Sequence, residues 1–315
     1  RGQPLMAIFA ILLLPASNTR GESPQSAPEV GDEYEISQRY ETSERTRDGS
    51  SGSSRGHNTF LERVIGIREG GLELEYDLSR DATVEERART WQFPVRVFRS
   101  PDKPTQLLNR PELETRLEDW LKAAGWTREV CGRWIFTWNA FQIECDPQSV
   151  IRTIEELDLR FVDLRDGAPY QDTAARGPGA LTRETAGPNG ETFVVAMEID
   201  PDAVHRARAE SDVVIGEIMQ KPVTLADALS ARSKESVSGT ISVTLETDSE
   251  GNVWRRIKVT ETEIKGPDGQ IENRTATETV ERRSISKLAT AREEPQHQCP
   301  WPGTLQHRAL ARGVD

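Results

Sequence analysis

The segment from Cys131 to Val150, CGRWIFTWNAFQIECDPQSV, decides the reading of this chain. At period two, Trp134, Phe136 and Trp138 fall on one face and Arg133, Ile135 and Thr137 on the other. After Asn139-Ala140 the alternation resumes, with Phe141, Ile143 and Cys145 set against Gln142 and Glu144. Strict alternation marks half-buried strands. A two-residue turn at Asn139-Ala140 pairs Trp138 with Phe141, Phe136 with Ile143 and Trp134 with Cys145, and all six apolar side chains then share one face. Asn suits such a turn and Ala does not. A three-residue loop, Thr137 to Asn139, sets Cys131 opposite Cys145 but places Trp134 across from Gln142 and mixes the faces. The apolar area at stake favours the two-residue turn. In that register Trp134, Phe136 and Trp138 form a packed core face. The same three residues are the candidate lining of a ligand cleft, because aromatic faces stack on sugars and apolar ligands.

Asp146-Pro147 ends the second strand and opens a helix, Asp as N-cap and Pro at the first helical position. Val150, Ile151, Ile154 and Leu157 continue as an apolar stripe. The same device recurs at Glu198-Ile199-Asp200-Pro201. Shared capping chemistry explains the recurrence more simply than an internal duplication.

Outward from this centre, Tyr34, Ile36, Gln38, Tyr40 and Thr42 alternate as a strand, residues 48–56 (DGSSGSSRG) read as a flexible loop, and Phe60 to Ile67 and Leu72 to Leu78 complete a first meander. Thr83-x-x-Glu86 is a capping box. Pro94 to Phe98 reads as a strand, and Asn109 with Pro111 opens a helix carrying Leu113, Leu117, Trp120, Leu121 and Ala124 as far as Gly125. Residues 166–191 are rich in Gly, Ala, Pro and Thr and read as a long surface loop or a boundary between two lobes. A strand from Phe193 to Ile199 and a helix over 201–218 follow, and Thr224 caps a further helix. A second meander then runs through Ile241 to Leu245, Val253 to Ile264 and Ile271 to Val280. Its strands are rich in Thr, Glu and Arg, so one face should be wet. The expected fold is α+β: a curved antiparallel β-sheet built from two terminal meanders and a central hairpin, with helices packed on one face and the meanders joining edge to edge. The domain should span residues 34–283, after a signal segment (1–19) and a linker (20–33), with residues 284–315 a disordered tail.

Length and charge bound the function. The 315 residues carry a formal net charge of −12, which argues against a nucleic-acid binder and against docking through a polybasic patch. Leu5 to Leu14, LMAIFAILLL, followed by Pro15-Ala16-Ser17, looks like the h-region and cleavage region of a secretory signal; at ten residues it is too short to span a bilayer. No transmembrane segment is expected in the mature chain, and a periplasmic or secreted location is. Export permits a disulfide. Of the three cysteines, Cys131 and Cys145 are the candidate pair and Cys299 is left odd; the other reading is two small buried hydrophobes.

Catalytic motifs are scarce. Gly52-x-Ser54-x-Gly56 matches a nucleophile elbow in letters, yet it lacks the strand-to-helix context that elbow needs, and the nearby His57 is close only along the chain. His297-x-Cys299 lacks the further ligands of a zinc site. No pair of carboxylates is singled out by spacing, and no phosphate loop or dinucleotide fingerprint appears. No catalytic residue, metal or cofactor is therefore expected.

The runs WIFTWNAFQIECDPQSV and TISVTLETDSEGNVWRR resemble a family of uncharacterised exported proteobacterial proteins, over about Gly31 to Arg283. The resemblance implies export and no known activity. The order of elements is also similar to periplasmic carriers in which a curved sheet wraps helices around a lipid-binding cavity, a likeness of fold that does not establish function. The leading expectation is a non-enzymatic exported protein binding an apolar small molecule or an envelope protein. The alternatives are a periplasmic hydrolase with a carboxylate or serine site and a structural envelope module.

Overall fold

The computed structural model of the chain describes residues 27–68, 70–136 and 140–285. The first meander is β1 (Glu33–Thr46), β2 (Ser51–Arg68) and β3 (Gly71–Leu78), after which α1 (Val84–Arg89), β4 (Val95–Ser100), β5 (Lys103–Leu107) and α2 (Arg110–Ala123) follow. A hairpin of β6 (Trp134–Phe136) and β7 (Ala140–Gln142) leads to α3 (Val150–Leu157). Beyond it lie β8 (Pro169–Tyr170), β9 (Gly179–Ala180), β10 (Thr182–Gly187), β11 (Gly190–Glu198), α4 (Pro201–Ile218) and α5 (Leu225–Arg232). The described chain ends with β12 (Ser236–Thr247), β13 (Val253–Lys265) and β14 (Ile271–Ser284).

Ten strands form one antiparallel sheet in the order β10-β11-β12-β13-β14-β1-β2-β3-β4-β5. The sheet is open, with β5 and β10 at its edges. β1 and β14 are paired from Tyr34↔Ser284 to Thr46↔Glu272, so the two ends of the described chain meet at mid-sheet. Register fixes which side chains share a face: Ile36 lies between Phe60 and Arg282, Val64 beside Leu74, and Val243 beside Val195. These apolar residues are buried in one cluster. Helix α2 adds Leu113, Leu117 and Leu121, at the i, i+4, i+8 spacing of one helical face, and α3 adds Val150, Ile154 and Leu157. Each such side chain contributes about 1.5–3 kcal/mol on burial.

Capping follows the sequence closely. The Thr83 side chain accepts from Glu86 N, and Glu86 returns the bond to Thr83 N. Asp146 and Asp200 each accept from the amide two residues on, ahead of Pro147 and Pro201.

Three expectations are corrected. Residues 51–56 are not loop but the exposed start of β2, paired with β1. The register also sets Tyr40 opposite Gly56, where any Cβ would meet the tyrosine ring 2.0 Å away. Glycine is the residue that leaves room for an aromatic ring to lie across the neighbouring strand. Residues 166–191 are not simply a surface loop: Ala168 and Leu181 join the core, and Lys258 on β13 holds Asp172.

The central hairpin is the third correction. It stands apart from the large sheet, and it adopts the three-residue loop rather than the two-residue turn: Trp134 pairs with Gln142, Ile135 with Phe141 and Phe136 with Ala140. Without a large sheet behind it, no continuous buried face enforces a single apolar side. Its base supplies the register instead. Gly132 takes φ +80°, in the left-handed region open to glycine, and its amide donates to the Ile143 carbonyl at 2.8 Å. Ile143 N donates to Arg133 O at 2.9 Å, and the Gln142 side chain donates to Gly132 O at 2.8 Å. Cys131 and Cys145 are joined in a disulfide with Cα atoms 5.6 Å apart.

A cross-link that closes a loop of this length stabilises by about 3 kcal/mol through the unfolded chain. A Cys131→Ser/Cys145→Ser double variant should lose about 2–3 kcal/mol in urea unfolding while its far-ultraviolet circular dichroism is unchanged. An equal midpoint for the two proteins would show that the hairpin unfolds separately from the sheet.

Candidate functional site

Where β1, β2, β3 and β14 meet, the inner face turns from apolar to charged. Register aligns Tyr34, Glu62 and Tyr76 in one row across the first three strands, with Arg282 on β14 opposite Ile36, two pairs along from Tyr34. Glu62 is 1% exposed. Its Oε1 accepts from Arg160 Nε at 3.0 Å, from Arg160 Nη2 at 2.6 Å and from Arg282 Nε at 3.0 Å. Its Oε2 accepts from the Tyr76 hydroxyl at 2.9 Å. The Tyr34 ring lies between the two arginines, 3.6 Å from the Arg282 guanidinium carbon and 4.9 Å from that of Arg160. Nη2 of Arg282 is buried and makes no hydrogen bond with any described residue.

Arg160 comes from the segment just after α3. Leu159 there is fully buried, Arg160 N donates to Asp158 at 3.0 Å, and Asp158 is paired with Arg99 on β4. The cluster therefore ties a non-sheet segment to four strands.

Burial alone would raise the Glu62 pKa. The charges of Arg282 and Arg160, with hydrogen bonds from Arg160 and Tyr76, outweigh burial and lower it from 4.5 to about 2. Burial, and then the charge of Glu62, raises Tyr76 well above its ordinary value. Glu62 thus stays ionised and Tyr76 protonated at neutral pH. Neither is poised for proton transfer.

Arg160 and Arg282 open onto a cleft of about 780 Å³. Leu72, Leu159, Phe161, Val162, Val253 and Trp254 give it an apolar wall, and Asp32, Asp248, Glu250 and Asn252 lie among its polar residues. Two of these acids are already engaged with backbone amides: Asp248 Oδ1 accepts from Glu250 N and Asn252 N at 2.9 Å each, and Asp32 Oδ2 accepts from Glu29 N at 2.9 Å. The volume falls within the range of small-molecule sites.

Of the residues singled out from sequence, the described ones are not brought to the cleft. Trp134 is half-buried and is not part of the cleft wall; the Phe136 side chain and Trp138 lie outside the described residues. Ser54 and His57 are separated by odd spacing on β2, hence on opposite faces. Ser54 Oγ is 2.6 Å from Thr42 Oγ1, and His57 Nε2 is 2.9 Å from Ser37 Oγ. The structure does not assemble them into a nucleophile and its base. Among the described residues no group of three or more His, Cys, Asp or Glu is placed to hold a metal; His297 and Cys299 lie outside those residues. No described helix is long and apolar enough to cross a membrane.

The cleft residues left a faint trace in the sequence. Glu62 occupies an inward position between Phe60 and Val64, and Arg282 follows Val280 at the same spacing. A charge at an inward strand position was the signal, and one strand read alone does not supply its partner.

No family model matches the chain, and no curated protein does. Among solved structures it is similar to lipovitellin, in a structure described as "Lipid-protein interactions in lipovitellin", with 10% identity and a TM-score of 0.41. The match covers 90% of this chain and spans 27% of that one. A likeness at that level carries no argument about function.

The depressed Glu62 pKa gives a pH dependence of known sign. Its contribution to stability is fully present above pH 4.5 and is lost as pH falls from there towards about 2. The lowering corresponds to roughly 3 kcal/mol. Glu62→Gln should lose about 3–5 kcal/mol at pH 7, by leaving the arginines uncompensated, and should show a flatter acid limb. Urea midpoints measured between pH 7 and pH 3 test this; parallel profiles for the two proteins would contradict it.

Proposed function

We propose that this protein binds an apolar or amphiphilic small molecule in the cleft walled by Leu72, Phe161, Val162 and Trp254, and that it does so without catalysing a reaction. The observation that carries the reading is the pairing of an apolar wall with a cavity of about 780 Å³ beside the Arg160–Glu62–Arg282 cluster. Such a volume accommodates a lipid-sized chain, and apolar burial supplies the affinity. At the cleft Glu62 is held ionised and Tyr76 protonated, which favours carriage or sensing over hydrolysis. The Cys131–Cys145 disulfide supports an oxidising compartment, and with the apolar run Leu5 to Leu14 it favours an exported protein.

The purified protein should bind the uncharged dye N-phenyl-1-naphthylamine saturably, with one site per chain. Val162→Arg, a half-buried wall position, should weaken that binding by about tenfold or more, equivalent to about 1.4 kcal/mol, with little change in melting temperature. Fluorescence titration is the measurement. A wild-type protein that shows no saturable dye binding would sink the reading.

A further inference from the structure

The charge cluster at the cleft does more than hold strands together. Arg160 and Arg282 are both nearly buried, and between them they have one buried carboxylate, Glu62. The adjacent Arg99 does not alter the balance, since Asp158 neutralises it. Within the Arg160–Glu62–Arg282 cluster one positive charge is therefore in excess, beside the apolar wall of the cleft. Burying an uncompensated charge is costly, and proteins keep one where it meets a partner of opposite sign. The unmet capacity is localised: the Arg282 side chain is 8% exposed, its Nε serves Glu62, and its Nη2 has no acceptor. The Tyr34 ring beneath it holds the guanidinium plane in place without using a donor. Of the three acids lining the cleft, Asp32, Asp248 and Glu250, the first two accept from the backbone amides of their own turns rather than from Arg282. Arg283, also at the cleft, is paired with Glu281 and is half exposed.

We infer that the cleft takes an amphiphile with an anionic head group, whose oxyanion is received by Arg282 and Arg160 while its hydrocarbon tail lies along Leu72, Phe161, Val162 and Trp254. This rests on the binding function proposed above and adds the chemical class of the ligand. Guanidinium groups suit both carboxylate and phosphoryl oxyanions, because each presents paired acceptors to a planar donor.

The test is displacement of N-phenyl-1-naphthylamine from the full chain at pH 8 by three ligands of equal tail length: hexadecanoic acid, hexadecanol and hexadecyl phosphate, each below its micellar concentration. The acid or the phosphate should displace the dye at a concentration at least about tenfold lower than the alcohol. Arg282→Met should erase that preference while dye and alcohol still bind, and Arg282→Lys should keep part of it. Whichever of acid and phosphate is stronger identifies the source of the oxyanion. Equal potency of acid, phosphate and alcohol on the wild-type protein would overturn the head-group inference and leave apolar binding standing. Failure of all three would overturn apolar binding itself. The wild-type comparison needs no variant, so poor folding of Arg282→Met does not protect the inference.

Discussion

The carboxylate of Glu62 is the constraint on which the rest of this fold depends. It reaches a side chain from β3, one from β14 and one from the segment after α3, and it does so where water cannot share the load. A buried carboxylate with fewer partners would be forced to take up a proton or to leave the core. Its presence therefore fixes three things together: the register of β2 against β3, the seam between β1 and β14, and the path of the chain after α3. Apolar packing on either side supplies most of the stabilising energy, but it is non-directional. The hydrogen-bonded cluster selects one arrangement among those that would bury similar area, a role attested for some buried polar groups in other proteins.

The sheet is chemically uneven across its width. Its flanks, β2 to β4 on one side and β11 to β12 on the other, turn apolar residues inward, while the middle strands β13 and β14 carry Arg256, Lys258 and Glu278 on the same face. These are tied down by ion pairs and by groups outside the large sheet: Arg256 donates to the Glu156 carbonyl in α3 at 2.6 Å and to Glu278 at 2.9 Å, and Lys258 holds Asp172. A mid-sheet so polar cannot close on a dry core, so the segment following α3 crosses it with polar partners of its own. The cleft forms at the boundary between the two chemistries, where apolar wall and charged floor adjoin.

Much of this was legible in the chain. Strand alternation located β1, β3 and β12 to β14, and the periodic leucines of α2 and the caps at Thr83, Asp146 and Asp200 marked helices through strictly local chemistry. What was not legible is whatever depends on partners distant in sequence. Glu62 acquires meaning only with Arg160 and Arg282, and no local pattern links them. One-faced burial does not govern the central hairpin, a ribbon that has no sheet behind it. Ala140, ill suited to a two-residue turn, and Gly132, suited to a bend, both pointed to the register that forms. Polar, serine-rich Ser51–Gly56 reads as loop because exposed strand ends carry little apolar signal; the pairing with β1 comes from the neighbour rather than from the segment itself.

The pairing of the first described strand with the last sets a timetable for assembly. Until Ile271–Ser284 has left the ribosome, β1 is a raw edge and Glu62 lacks one of its two cations. The early meander is therefore incomplete until β14 has been made, and the middle of the sheet is sealed by that strand rather than grown from β1 alone. A chain built this way stays pliable while it is being made and becomes rigid in one late step.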